Sequence, residues 1–241
     1  AFVVADSRAL AQDVAELIEV DYDDEEAAAG TATALEDDAP LVWPELGSNR
    51  AFTYHPGDKA KAHAAFAAAE RVTRVEFVNN RLICNYMEPR SAIGEWRKDE
   101  DRFVLTTGSQ GVHSMRNILT GQVFGIGADK LRVVTPDVGG GFGTKAFVYR
   151  EHALVLEAAK RLGRPVKWAG DRTEHFLADA QGRDNFVTAE MAMDKHGRFL
   201  GLRVGLISNV GAYISQYGPI IAHIGASMST GVYDIEALDV T

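Results

Sequence analysis

The sequence has little cysteine: Cys84 is the only one in 241 residues. One thiol excludes an intrachain disulfide framework. It also excludes a zinc or iron–sulfur site built on this chain's own cysteines. Long apolar runs are missing, and no stretch approaches the roughly 20 apolar residues of a membrane-spanning helix. Cations are scarce relative to anions, with 25 Lys and Arg against 34 Asp and Glu and a formal net charge of −9. An acidic chain suits nucleic acid poorly, because phosphate binding needs clustered cations. No basic segment followed by an apolar run opens the chain, so the default expectation is cytoplasmic. The chain begins Ala1-Phe2-Val3-Val4-Ala5, a buried-strand pattern with no Met, and both ends are expected to be cut. The seven histidines show no H-x-x-x-H or H-E-x-x-H spacing, and no G-x-S-x-G elbow occurs.

What is present is unevenly distributed. Twelve acidic residues lie between Asp13 and Glu45, where no Lys or Arg occurs. The remainder carries 25 basic and 22 acidic groups, so the main body is nearly neutral. A block of like charge reads as a solvated linker. An EF-hand loop starting at Asp21 fails for want of a glycine at its sixth position. With 46% hydrophobic residues the chain can bury a core, in one large domain or two smaller ones.

Periodicity predicts a strand at 2–5, then a helix capped by Asp6 with Leu10, Val14 and Leu17 on one face. A half-exposed strand through Ile18, Val20 and Tyr22 follows. Residues 25–57 hold the acidic run, then Pro40, Pro44, Pro56 and Gly57, and read as a linker. Asp58 caps an Ala-rich helix through Glu70. Strands are expected at 71–77, 92–96, 103–106, 131–134 and 166–168. Helices are expected at 110–124 and 151–162, the latter stopped by Gly163. A hairpin at 186–207 turns through Asp194-Lys195-His196-Gly197. Residues 211–231 could be helical, and 235–240 start a last strand. The class is α+β with mixed sheets.

Chemistry concentrates in two segments. Asp137-Val-Gly-Gly-Gly-Phe-Gly-Thr-Lys145 follows an apolar strand. Four glycines in five positions cost backbone entropy, so such a loop suits close approach of a ligand to its N–H groups. Thr144 breaks both the G-x-G-x-x-G and the G-K-[ST] patterns, and a tight turn without ligand stays open. Thr106-Thr-Gly-Ser-Gln110-Gly-Val-His113 ends a strand and opens a helix, where ligands often sit. There Gln110 offers a donor and an acceptor, although the segment by itself favours helix capping by Ser109. Met87-Glu88-Pro89-Arg90 reads as a ligand clamp or a structural ion pair. Asp171 reads as a helix cap, and Cys84 as a small buried residue on an apolar strand.

These segments, in this order, resemble the molybdenum-cofactor-binding large subunit of the xanthine dehydrogenase/aldehyde oxidase family, which includes aerobic carbon monoxide dehydrogenase. Arg132 to Lys145 resembles the family's glycine-rich cofactor loop. Gly163-Arg-Pro-Val-Lys-Trp168 with Asp171-Arg172, Met87 to Arg90, Asn209 to Tyr213 and Gly231 to Asp234 extend the resemblance over nearly the whole chain.

The resemblance implies three parts. Residues 1–24 are the C-terminal end of a small, hammerhead-like α+β domain, 25–57 the acidic linker, and 58–241 the first part of the molybdopterin-binding domain. It implies a molybdopterin-type cofactor, in the plain pterin form or its cytosine dinucleotide form. Gln110 bonds an oxo ligand of the metal, Phe142 and Gly143 line its apical side, and the Gly140-Gly141-Phe142-Gly143 backbone lies against the cofactor. No protein side chain ligates the metal directly, because the pterin dithiolene holds it.

The resemblance also places the family's Arg- or Cys-containing loop and catalytic glutamate beyond Thr241, so no catalytic residue is expected in this stretch. Purine-oxidising members carry a glutamate after the loop's lysine; here Ala146 and Phe147 follow, which favours an aldehyde, a heterocycle or another small substrate such as carbon monoxide. Electrons would pass to iron–sulfur clusters and FAD on partner chains or domains of an oligomeric enzyme, with no nucleic acid and no membrane span. The alternatives are a non-catalytic binding or assembly module of the same ancestry, and an anion- or nucleotide-binding protein using the glycine loop.

Overall fold

A computed structural model describes residues 1–241. In chain order the helices are α1 Arg8–Ala15, α2 Lys59–Ala67, α3 Val112–Ile118, α4 Arg150–Leu162, α5 Arg172–Ala178 and α6 Gly218–Ser227. The strands are β1 Arg71–Asn79, β2 Ser91–Arg97, β3 Arg102–Thr107, β4 Leu131–Val134, β5 Val166–Ala169, β6 Asn185–Met193, β7 Phe199–Ser208 and β8 Ala237–Val240. The chain forms two compact units, Ala1–Asp23 with Ile83–Gln181, and Asp24–Leu82 with Gly182–Thr241.

The first unit is built on a four-stranded sheet of order β4-β3-β2-β5. β2 pairs antiparallel with β3 and β5, whereas β3 and β4 are parallel. Parallel neighbours need a crossover, and α3 supplies it. Leu105, Met115, Leu119, Leu131, Val155 and Leu156 are central to the core. α4 lies so close on β2 that a Cβ on Gly94 would come within 2.5 Å of the Val155 carbonyl. Only glycine allows that approach.

The second unit has a four-stranded sheet of order β1-β6-β7-β8. β6 and β7 form the expected hairpin, with Asp194 Oδ1 accepting from the His196 and Arg198 amides at 2.8 and 2.9 Å. β8 runs parallel to β7, Gly201 opposite Ala237. Asp58 caps α2, its Oδ1 accepting from Lys61 N at 2.9 Å. Residues 24–57 contain one short 3-10 helix, Pro44–Leu46, and no strand.

Several expectations are corrected. Residues 2–5 and 18–22 form no strand, because no neighbouring strand pairs with them; Leu17, Val20 and Tyr22 are well exposed. α1 is capped by Ser7, whose Oγ accepts from Leu10 N at 3.2 Å, while Asp6 instead meets Arg164 at 3.0 Å. The helix expected to Phe124 loses α-geometry after Ile118 and continues as a π-turn, Leu119–Phe124. Thr120 Oγ1 donates back to Arg116 O at 2.9 Å, a side-chain bond that competes with the regular ladder. Within 211–231 the α-helix is confined to α6. Cys84 lies outside any strand and is half-buried.

Candidate functional site

Parallel pairing explains why two segments thirty residues apart meet. Thr106 lies opposite Val134, so β3 and β4 end side by side. The Gln110 segment and the glycine loop therefore leave the same carboxyl edge, where ligands bind in such sheets. Ser109 N donates to Thr135 Oγ1 at 3.1 Å and joins the two loops at their root. Ser109 is not the helix cap; Gly111 holds that position and Ser109 Oγ accepts from its amide at 3.0 Å.

Gln110 and the glycine loop are bonded directly. Gly143 N donates to Gln110 Oε1 at 2.9 Å, and Gln110 N donates to Lys145 O at 3.1 Å. With its oxygen engaged, the Gln110 amide keeps its Nε2 hydrogens for a ligand. Gly141 packs so tightly on this side chain that a Cβ there would lie 2.6 Å from Oε1. Gly140 and Gly143 have φ of +92° and +94°, conformations that favour glycine. Phe142 has φ of +47° and is 72% exposed, so an aromatic residue is held strained at the loop tip. The amides of Gly140, Gly141 and Phe142 donate to no acceptor in the chain, although Gly141 is buried. Consecutive free amides in a strained loop form a cradle for ligand oxygens.

The segment 86–90 runs beneath the loop. Glu88 Oε2 accepts from Gly139 N at 2.8 Å and from Lys145 Nζ at 2.7 Å. Burial alone would raise the Glu88 pKa, but the Lys145 ammonium and the Gly139 amide hold it below the usual carboxylate range. Glu88 and Arg90 do not pair with each other. Arg90 turns into the interior, where Nε meets Asp179 at 2.7 Å and a terminal nitrogen meets Glu151 at 3.2 Å. Its guanidinium stacks 3.5 Å from the Tyr149 ring centre. The Tyr86 hydroxyl and His175 Nδ1 also bond Asp179. Burial opposes charge on Asp179, yet these donors keep its pKa low; the same burial pushes Tyr149 up to about 12.

Sequence reasoning missed this network. Its only signals were the charge density of Glu88 to Arg90 and of Asp171 to His175. Asp171 itself caps α5, accepting from Glu174 N at 2.7 Å as expected. The lone Cys84 turns out to contact the loop, its Sγ 3.4 Å from Phe142 O.

Below the site, His152 on α4 is buried and neutral. Its Nδ1 accepts from Tyr149 N at 3.1 Å, so Nε2 carries the proton and faces Thr107 Oγ1 at 3.5 Å. Burial first, and then the Arg90 charge, lower its pKa from 6.5 to about 4. The unfolded chain therefore takes up this proton at higher pH than the folded one, so stability falls as pH drops below 6.5. Between pH 6.5 and 4.5 we expect a loss of about 2–3 kcal/mol. Carboxylates with lowered values add their share only below that window. His152→Gln should flatten the slope in urea denaturation across it; an unchanged slope would assign the loss elsewhere.

Comparison with known proteins gives a consistent pattern. Residues 42–241 match the family model for the molybdopterin cofactor-binding domain. The chain is 32% identical to the carbon monoxide dehydrogenase large chain of Hydrogenophaga pseudoflava, over 98% of this chain and 31% of that protein. It resembles the solved quinoline 2-oxidoreductase of Pseudomonas putida 86, with a TM-score of 0.87 and 32% identity over 98% of this chain and 30% of that one. It also resembles the aldehyde oxidoreductase of Desulfovibrio gigas, with a TM-score of 0.88 and 26% identity over 98% and 26%. The chain thus spans about 31% of the length of the first of these relatives.

Proposed function

The chain belongs to the molybdopterin cofactor-binding domain family, and on that premise we propose that it forms one wall of the active site in a molybdenum hydroxylase large subunit. The observation that carries this reading is the bonded pair of Gln110 and the glycine loop, Gly143 N to Gln110 Oε1 at 2.9 Å, beside three free amides. When bound, such a cofactor supplies a redox-active metal already held by its own dithiolene sulfurs. The residues fit it, because the group brings its own sulfur ligands and needs no protein cysteine, while the free amides of the glycine loop offer its oxygens a backbone cradle.

In this reading the amides of Gly140, Gly141 and Phe142 bind oxygens of the cofactor, as the pterin alone or its cytosine dinucleotide. Gln110 directs its Nε2 hydrogens toward the metal end. The Gly143 backbone lines that end, and the exposed Phe142 ring shields it from water. Ala146 and Phe147 present no carboxylate, which favours a small substrate of low polarity: an aldehyde, a heterocycle or carbon monoxide. The named relatives support that range, since their names include carbon monoxide dehydrogenase, quinoline 2-oxidoreductase and aldehyde oxidoreductase. Iron–sulfur and flavin partners would take the electrons in an oligomeric, cytoplasmic enzyme. No helix is long and apolar enough to cross a membrane.

The test is expression from the complete reading frame with maturation, followed by metal and pterin analysis. Equimolar molybdenum and pterin are expected, and absence of both from the matured protein overturns the proposal. The 241-residue chain by itself should not turn over.

A further inference from the structure

A circuit of bonds closes around the glycine loop, and it starts at a residue outside the loop. One oxygen, Glu88 Oε2, holds Gly139 N at 2.8 Å at the loop's beginning and Lys145 Nζ at 2.7 Å at its end. The main chain doubles the first contact, with Glu88 N donating to Gly139 O at 3.2 Å. Lys145 passes the constraint on, because its carbonyl accepts from Gln110 N at 3.1 Å. Gln110 returns it to the loop through Gly143 N at 2.9 Å.

The fit around this circuit is close. A Cβ on Gly139 would lie 2.6 Å from Glu88 Cβ, and one on Gly108 would lie 3.6 Å from both Glu88 Oε2 and Lys145 Nζ. The Lys145 side chain is 1% exposed and Glu88 is its only ion-pair partner. The Tyr86 ring lies 4.6 Å from the same ammonium. A buried ammonium is costly unless paired, so in this position Lys145 depends on Glu88 for its counter-charge. Glu88, by contrast, is 40% exposed at its side chain and could reach solvent. Its place is set by the two donors it ties together.

We propose that Glu88 is the positioning residue of the glycine loop, tying Gly139 to Lys145 and through Lys145 setting Gln110 and Gly143 in the arrangement that meets the cofactor. This rests on the cofactor reading above and adds a residue that acts through others. Glu88 does not need to touch the ligand. The loop's other ties are short-range or weak, Thr144 N to Gly141 O at 2.9 Å, Ala146 N to Gly143 O at 3.1 Å and Cys84 Sγ to Phe142 O at 3.4 Å, and a strained loop keeps one shape only when its surroundings over-determine it.

The experiment compares wild type, Glu88→Ala and Lys145→Met, each expressed from the complete reading frame. Amide hydrogen exchange is read residue by residue in cofactor-free protein, with α4 as internal reference. Glu88→Ala should speed exchange at Gly139, Gln110 and Gly143 at least tenfold and leave α4 unchanged. A merely structural role would speed α4 equally. Exchange at Gln110 and Gly143 within twofold of wild type overturns the proposal. If Glu88→Ala loses protection in α4 as well, Lys145→Met decides: it should free Gln110 and Gly143 while Gly139 stays protected by Glu88. Unchanged exchange in that variant also overturns it. Matured Glu88→Ala should in addition release pterin at least tenfold faster than wild type. Wild-type protein without molybdenum or pterin would sink the cofactor reading while leaving the exchange result intact, so the two failures are distinguishable.

Discussion

Arg90→Met is expected to cost about 3–5 kcal/mol of folding stability, the penalty for leaving buried charge without its partner. The Arg90 side chain is 3% exposed and neutralises Asp179 and Glu151, which are 2% and 8% exposed. Methionine fills much of the space between the Tyr149 and Trp168 rings, so lost packing is the smaller part. What remains is two carboxylates in the interior, one still bonded to Tyr86 and His175 and one with only the exposed Arg150 at 3.5 Å. A loss of that size is a large fraction of the 5–15 kcal/mol that holds a typical domain together. The measurement is the urea midpoint at neutral pH. Asp179→Asn and Glu151→Gln placed in the Arg90→Met background should recover most of the loss, because neutral groups need no counter-ion. An Arg90→Met midpoint equal to wild type would show that the pair contributes nothing and that its role lies elsewhere.

Local chemistry was legible in the sequence because local chemistry decides it. Asp58 and Asp171 cap their helices through the amide three residues on, and Gly163 stops α4 with φ of +64°. Each needs only a short segment to act. β4 appears over the four residues that apolar patterning outlines, and the β6–β7 hairpin turns at Asp194 to Gly197. The apolar run at 2–5 and the alternation at 18–22 both failed as strand signals, because each describes a surface and not a partner; without a neighbouring strand the backbone has no ladder to join. The π-turn after Ile118 depends on one hydroxyl choosing a carbonyl, which propensity does not encode.

The site divides in the same way. Gln110 and the glycine loop stood out by composition and by their place after strands. That they touch follows from the parallel β3–β4 pair. Tyr86, Glu88, Arg90 and Asp179 could not be assembled from spacing, since Arg90 and Asp179 meet across eighty-nine positions of chain.

Gly141→Ala is expected to lower cofactor retention 10–100-fold, the usual effect of disturbing a group that orients a metal site, while leaving stability nearly unchanged. The two effects separate for a geometric reason. The new Cβ would lie 2.6 Å from Gln110 Oε1 and 2.9 Å from its Cδ, so something has to move. The atoms it meets belong to the free end of an exposed, flexible side chain, and Gln110 can swing aside at little cost. Swinging aside breaks the Gly143–Gln110 bond and carries the Nε2 hydrogens away from the position they hold. Gly140→Ala differs, because φ there is +92° and its Cβ would lie 2.9 Å from Tyr86 Cβ, in the buried layer. That variant should lose stability as well as cofactor. Gln110→Ala supplies the control. If Gly141→Ala acts only by displacing Gln110, the double variant should retain as much molybdenum and pterin as either single one, a full non-additivity that a double-mutant cycle measures. Additive losses would mean that Gly141 contributes through its own amide, and would assign the cradle a share independent of the glutamine.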